Sequence, residues 1–546
     1  MNQKSFTENV NRISPDLSAL EDSFSFPANE YTRLETLYST LEQWYSGEKL
    51  KETAGTGTEE TELYPTQYNP LPDAVEKHVA MLFGHYDLQD RDIVRPLLLA
   101  PEKNDAWREK KQEVEEYLQR VCYENNFNAL LIDNATSSQI YGGCVFKVLY
   151  DEESVDPTRE TKLNISAIHP RYFVGIPSGL NFWDLHEAWV LRPISVSEAK
   201  SRYGISYVGE DDKEDNDIVW LAEHYTKKKI RVYVDGKQAR RKIGTEVIDL
   251  NQDNPYGIVP FVYIPHIRDN GFYGTSLING VEGLLKEINL RIGDFGDAVT
   301  TDSHTTFLVA GQSDLRIDNA EKVGPGVKAI KVRLTGAGMG KDTNPNVTQL
   351  KQLAHVSMGE LVDRLLDMFA KTVSIPPVAY GTDEGSQRSS ATLILRMWPL
   401  IAHAQMERAY WTVGLNRLYT YALHMLSIKE SGKFSKDIKK FRVKQDWFPY
   451  LPKDRESIIN EANTRFAGKM SSLEKIFELL GDVDDPEEEK KLILDFQKEL
   501  AELQSEFQQT PFGGAKPENK QVPLSTGANP KKEDKKVDDK GNKGDK

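Results

Sequence analysis

The chain has 546 residues, 69 Lys and Arg against 84 Asp and Glu, and a formal net charge of -15. That length allows more than one compact unit, and the acidic balance argues against a protein that wraps DNA by neutralising phosphates with clustered cations. Only Cys122 and Cys144 are present, which excludes a disulfide scaffold and a cysteine-based zinc site and fits a reducing cytosol. No leader pattern opens the chain and no apolar run is long enough to cross a bilayer, so a soluble protein with no membrane partner is expected.

Residues 1–28 are polar and mixed and read as a loosely ordered arm. Asn29 stands where an N-cap belongs, ahead of Leu34, Leu37, Tyr38, Leu41, Trp44 and Tyr45 on one helical face, with Gly47 as the stop. After a Gly/Thr/Glu loop at 52–60, a second helix runs from Pro72 to Gly84. A charged helix from Asp105 to Asn126 and an apolar one from Ala129 to Tyr141 follow. From Gly142 the apolar period shortens toward 2, and the runs 144–150, 188–191, 230–234 and 256–264 read as strands, with Asp235-Gly236 as a hairpin turn.

From Thr275 the apolar residues Leu277, Val281, Leu284, Ile288, Ile292, Phe295 and Val299 form one helical stripe. A second stripe runs through Leu350, Leu353, Leu361, Leu365 and Phe369, so two long helices flank a small lobe with strand-like runs. The prolines and glycines of 374–388 end the second helix, and a third helix from Ser390 to Ser427 is apolar nearly all round and is expected to be buried, with a kink at Pro399. A short strand at 441–445 and the aromatic turn 447–452 precede three short helices. Of these, the second opens on a capping box from Ser471 to Glu474 and the third on Asp485-Pro486. Beyond Pro511 the composition cannot repay the entropy of ordering, which predicts a disordered tail at 512–546.

Signs of chemistry are sparse. The cluster Gly336-Ala-Gly-Met-Gly-Lys341 lacks the first glycine and the Ser/Thr of a phosphate loop and reads as a loop tip. The ten histidines show no ligand spacing, so a metal site would have to be assembled from distant segments, and no metal, cofactor or catalytic residue is nominated. His403 and Glu407 share a helical face, and an i, i+4 pair of this kind is expected to be a surface contact. The acidic row Glu282, Glu287, Asp294, Asp297 and Asp302 reads first as a solvated helix face.

The order of these features resembles the portal proteins of tailed bacteriophages, of siphovirus-like type. The resemblance rests on Asn254-Pro-Tyr-Gly-Ile-Val-Pro260, Gly274-Thr-Ser-Leu-Ile-Asn-Gly-Val-Glu282, Ser374-Ile-Pro-Pro377, Ser389-Ser-Ala-Thr-Leu393, Phe448-Pro-Tyr-Leu-Pro-Lys-Asp454 and Val483-Asp-Asp-Pro-Glu-Glu488. It implies an α+β, mostly α, portal-type fold. The wing would span 29–274, stem helices 275–304 and 349–373, an α/β clip 305–348, and a tunnel loop 374–389. A kinked wing helix and strand would fill 390–451, and a helical crown 452–511.

By the same resemblance the chain would not be an enzyme. It would form a homo-oligomeric ring, a dodecamer in the virion, assembled in host cytoplasm at the capsid portal vertex. Double-stranded DNA would pass through it without sequence-specific contacts during packaging, retention and ejection. The implied partners are the terminase packaging motor, a head-completion or adaptor protein at the clip, and the major capsid and scaffolding proteins. Thr382, Asp383, Glu384, Gln387 and Arg388 would face DNA from the tunnel loop, and Glu282, Glu287, Asp294 and Asp297 are candidates for the channel wall. Glycines at 280, 283, 293 and 296 each cost about 1 kcal/mol in a helix interior, which close packing against neighbours would explain. The alternatives are a nucleic-acid-processing enzyme built on the strand-rich section and another phage structural adaptor.

Overall fold

The computed structural model describes residues 17, 20–21, 26–53, 67–84, 92–102, 105–151, 158–179, 183–207, 214–243, 246–269, 271–303, 305–310, 322–324, 327–332, 346–349, 354–381, 390–434, 436–451, 455–480 and 486–509. The chain is mixed α/β with helix predominating, in keeping with the α+β class. It divides into two units, Met1–Pro452 and Lys453–Lys546.

The first unit opens with α1 (Ala28–Ser46), α2 (Glu48–Thr53) and α3 (Leu71–Phe83). Helix α1 buries Tyr31, Leu34, Tyr38, Leu41 and Trp44 at steps of three and four, and stops where Gly47 takes φ 81° and its N–H reaches Trp44 O. Asn29 is not the cap; the helix starts after Pro27, two residues earlier than expected. Strand β1 (Val94–Leu99), α4 (Asp105–Glu124) and α5 (Phe127–Tyr141) follow, with α5 ending at Gly142, φ 82°.

Next comes the β-rich section: β2 (Gly143–Tyr150), β3 (Leu163–Ile168), β4 (Phe173–Pro177), β5 (Leu185–Ser195), α6 (Val196–Tyr203), β6 (Ile205–Tyr207), β7 (Ile218–Thr226), β8 (Lys229–Val234), β9 (Lys237–Gln238), β10 (Arg240–Ile243), β11 (Glu246–Asp249), β12 (Asn251–Asp253), β13 (Phe261–Pro265), β14 (Ile267–Arg268) and β15 (Gly274–Thr275). The largest sheet has the order β12-β8-β7-β5-β4, with β9 also on β8, and every pairing is antiparallel. Asp235 and Gly236 turn between β8 and β9 with φ 46° and 77°, the doubly left-handed backbone that a two-residue hairpin needs. A second antiparallel sheet, β13-β2-β3, carries the large helix described below on its side.

Helix α7 spans Glu282–Ser303, not Thr275 onward. The residues before it are held in a turn by local bonds that compete with helix. Ser276 Oγ accepts from Ile278 N at 3.0 Å and donates to Ile140 O at 2.6 Å, Gly280 sits at φ 89°, and the Glu282 carboxylate accepts the Gly280 N–H at 2.8 Å. Leu277, Ile278 and Val281 are therefore buried from a turn.

Between α7 and α8 (Ala354–Thr372) lie β16 (Thr305–Ala310), β17 (Lys322–Gly324), β18 (Val327–Val332) and β19 (Asn346–Gln349). They form one sheet, β17-β18-β16-β19, in which β16 and β18 run parallel. The two helices α7 and α8 pack on each other.

Helix α9 (Ser390–Lys429) is the spine of the main core. Its second half is buried through Trp411, Leu415, Leu418, Tyr419, Ala422, Leu423, Met425 and Leu426, and packs on β2, β13, α3 and β20 (Arg442–Trp447). Strand β20 pairs antiparallel with β1, joining the last strand of the unit to its first. The aromatic turn after β20 clasps α9 as well: buried Arg408 donates to Leu82 O at 2.6 Å and Phe448 O at 2.9 Å, with its guanidinium 3.7 Å from the Tyr450 ring centroid.

The second unit contains α10 (Arg455–Ala467), α11 (Leu473–Leu480) and α12 (Pro486–Gln509). The last of these is 24 residues long rather than short. The cap of α11 is Ser472, whose Oγ accepts from Lys475 N at 3.3 Å, one residue beyond the expected Ser471. Residues 512–546, expected to be disordered, lie outside the described residues.

Candidate functional site

The acidic row on α7 is not a bare carboxylate face. Arg291 donates from Nε to Glu287 at 2.8 Å and from a terminal nitrogen to Asp294 at 2.9 Å, so these three leave a single net negative charge. Glu282 spends one oxygen on the Gly280 N–H. Asp297 lies on the same helix, but its side chain is outside the described residues. The loop candidates Thr382, Asp383, Glu384, Gln387 and Arg388 are outside them too, as is the glycine cluster at 336–341. Up to Gly381 the loop is ordered by Ile375 N bonding Ala370 O at 2.8 Å and by a short 3-10 turn over Pro377–Tyr380.

Helix α9 corrects the expectation of all-round burial. Leu395, Trp398, Ala402, Met406, Ala409 and Val413 recur at steps of three and four from its first turns to just past its middle. Leu395 is 73% exposed, Trp398 and Met406 51%, and Val413 42%. The opposite face of the same helix, Met397, Leu400, Ile401 and Ala404, enters the core. The helix is thus two-sided, with apolar residues on both sides, which a periodicity count cannot separate.

His403 and Glu407 also differ from expectation, because the pair is not on the surface. Glu407 is 1% exposed and lies among three histidines from separate parts of the chain. Its Oε1 is 2.8 Å from His403 Nε2, 3.2 Å from His266 Nε2 and 3.9 Å from His78 Nδ1, while Oε2 accepts from Gln139 Nε2 at 2.8 Å. His78 comes from α3, His266 from the link between β13 and β14, and Gln139 from α5. Helical spacing made the His403–Glu407 pair visible; nothing in the sequence pattern joins it to His266, 137 residues from His403.

Burial alone would push the Glu407 carboxyl up, but the charge of His266 and the hydrogen bonds from His266 and His403 hold it well below the usual carboxylate range. Burial also opposes charging of His266, and Glu407 overcomes it, so that imidazole titrates above its ordinary value. His78 goes the other way: burial outweighs the pull of Glu407 and brings it down to about 4. The result is a buried carboxylate kept ionised by the imidazoles around it.

A mixed α/β body leads into a helix, sheet, helix excursion, and one apolar face of α9 is left exposed. A family model described as phage portal protein, SPP1 Gp6-like, matches residues 188–503. That is more than half of the chain, and the chain belongs to this phage portal protein family, which is structural and not an enzyme family. No curated protein matches the chain. Among the described residues no helix is long and apolar enough to cross a membrane.

Proposed function

We propose that copies of this chain close into a ring at one capsid vertex, a dodecamer in the virion by family analogy. Double-stranded DNA would pass along its axis during packaging, retention and ejection. The observation that carries this reading is the apolar stripe of α9, Leu395 to Val413, about 27 Å long at 1.5 Å per residue and open to its surroundings. Contiguous exposed apolar surface of this kind marks an interaction site, and a contact between unlike faces of identical copies generates a ring when the rotation closes.

The glycines of α7 support the same reading. Among the described residues a Cβ at Gly283 or Gly293 would meet nothing within 4 Å. Packing among the described residues therefore does not account for a residue type that costs about 1 kcal/mol at an interior position such as 293, whereas the close approach of a neighbouring copy does.

In this reading residues 275–304 and 349–373 are the stem, with Glu282, Glu287, Asp294 and Asp297 along the channel wall. The 305–348 lobe is the clip that docks a head-completion or adaptor protein. Residues 29–274 and 390–451 form the wing, and 452–511 the crown. Residues 374–389 form the tunnel loop, whose Thr382, Asp383, Glu384, Gln387 and Arg388 approach the duplex. The terminase motor and the capsid and scaffolding proteins are the remaining partners.

Arg291 tempers the negative potential of the wall, so repulsion of phosphates would be weaker than the carboxylate count alone implies. Negative-stain images of the purified chain should show rings with a central hole; a chain that stays monomeric under all conditions sinks the proposal. Deleting Thr382 to Ser386 should leave rings intact and impair packaging. Normal packaging would reduce the loop to a linker.

A further inference from the structure

We propose that His78, His266, His403 and Glu407 form a buried binding site for one divalent transition ion of the zinc class. The backbone fixes two of the tautomers. His78 Nε2 lies 2.7 Å from Val373 O and His266 Nδ1 lies 2.8 Å from Thr275 O. A carbonyl can only accept, so both of these nitrogens carry hydrogens and the opposite nitrogens, His78 Nδ1 and His266 Nε2, present lone pairs in the neutral rings.

Both lone pairs converge on Glu407 Oε1, at 3.9 and 3.2 Å. His78 Nδ1 is fully buried and has no hydrogen-bond partner. Lone pairs facing a carboxylate oxygen repel unless a positive charge lies between them, either a proton on His266 Nε2 donated to Glu407 or a metal ion shared by the whole cluster.

The geometry suits a metal ion as that charge. Ligand atoms of His78, His403 and Glu407 all lie within 4.8 Å of one another. His266 Nε2 adds a fourth, 3.1 Å from His403 Nε2 and 3.2 Å from Glu407 Oε1. Zinc bonds of 2.0–2.1 Å in a tetrahedron place ligand atoms about 3.3 Å apart, close to most of these separations.

Three imidazoles and one carboxylate make a borderline-soft set that favours zinc over magnesium or calcium. The outer contacts also fit. Metal-bound histidines donate their other N–H to carbonyls, as His78 and His266 do, and ligating carboxylates are hydrogen-bonded, as Glu407 is by Gln139. An ion here would tie α3, the β13–β14 link and α9 together at one point.

The test uses the full-length, untagged protein stripped with a chelator. Titration with Co²⁺ should give the visible absorption of a tetrahedral site, saturating at one ion per chain. Zn²⁺ at the same stoichiometry should bleach that absorption and raise the thermal midpoint. His78→Gln, which can still donate to Val373 O, and Glu407→Gln should each weaken Co²⁺ binding at least tenfold, whereas the exposed His186→Gln should not. Should the wild-type chain bind neither ion and its midpoint stay unchanged with Zn²⁺, the cluster is held by protons alone and the proposal fails. That result depends on no variant folding correctly, and it would leave the ring reading untouched.

Discussion

Glu223 on β7 is 5% exposed and yet keeps its charge, because four groups surround it. Lys147 Nζ and Tyr225 OH reach Oε2 at 2.7 and 2.8 Å, Tyr203 OH reaches Oε1 at 3.2 Å, and Arg192 stands 3.7 Å away. Burial pushes its carboxyl up, but Lys147, then Arg192 and Tyr225, more than offset this and hold it below the usual carboxylate range. A carboxyl that titrates lower in the folded chain than its unfolded value of about 4.3 contributes all of its stabilisation above that pH. It loses the contribution as pH falls through the folded value. Glu223→Gln strands Lys147 beside the Tyr225 and Phe261 rings, so it should cost about 3–5 kcal/mol at pH 7. Its stability should also vary less between pH 5 and pH 2 than that of the wild type. Urea melts at several pH values check both; parallel curves for the two proteins would show that the charge is solvated after all.

At the level of elements, the glycines at 142 and 274 decide how α5 and β2 meet the approach to α7. Gly142 has φ 82°, and a Cβ on it would sit 2.4 Å from Gly274 O; one on Gly274 would sit 2.2 Å from Gly142 O. Gly257 shares the left-handed backbone, φ 66°, but a Cβ there would meet nothing within 4 Å. Alanine at 257 should therefore cost only the left-handed penalty of about 1–2 kcal/mol. Alanine at 142 should add about 1–3 kcal/mol for the forced separation of two backbones. Equal losses of thermal stability in the two variants would show that the close approach relaxes freely. Much at this scale was legible in the sequence: the stops at Gly47 and Gly84, the Asp235-Gly236 turn and the long run of α9 each follow from local chemistry. The start of α7 was not, because Leu277 and Val281 keep helical spacing while Ser276 and Glu282 hold the backbone between them in a turn. The histidine cluster was illegible for a different reason, since His78, His266 and His403 meet only through tertiary packing.

For the whole molecule, the exposed side of α9 separates folding from assembly. Leu395 and Met406 are 73% and 51% exposed, and surface substitutions away from caps and buried groups change stability by no more than about 0.5 kcal/mol. Leu395→Glu and Met406→Glu should then leave the melting of an isolated chain almost unchanged. If the stripe is the face by which copies join, each substitution sets a carboxylate into an apolar contact at every interface of the ring, where an unpaired charge is costly. The repetition magnifies the effect, because a ring closes only when all of its equivalent contacts form. Light scattering should report monomers or short open oligomers where the wild-type chain gives closed rings, with the circular dichroism spectrum retained. The exposed Lys436→Gln provides a matched charge change off the stripe and should assemble normally. Rings that form equally well in all three variants would remove α9 from the interface and shift attention to the open glycine face of α7.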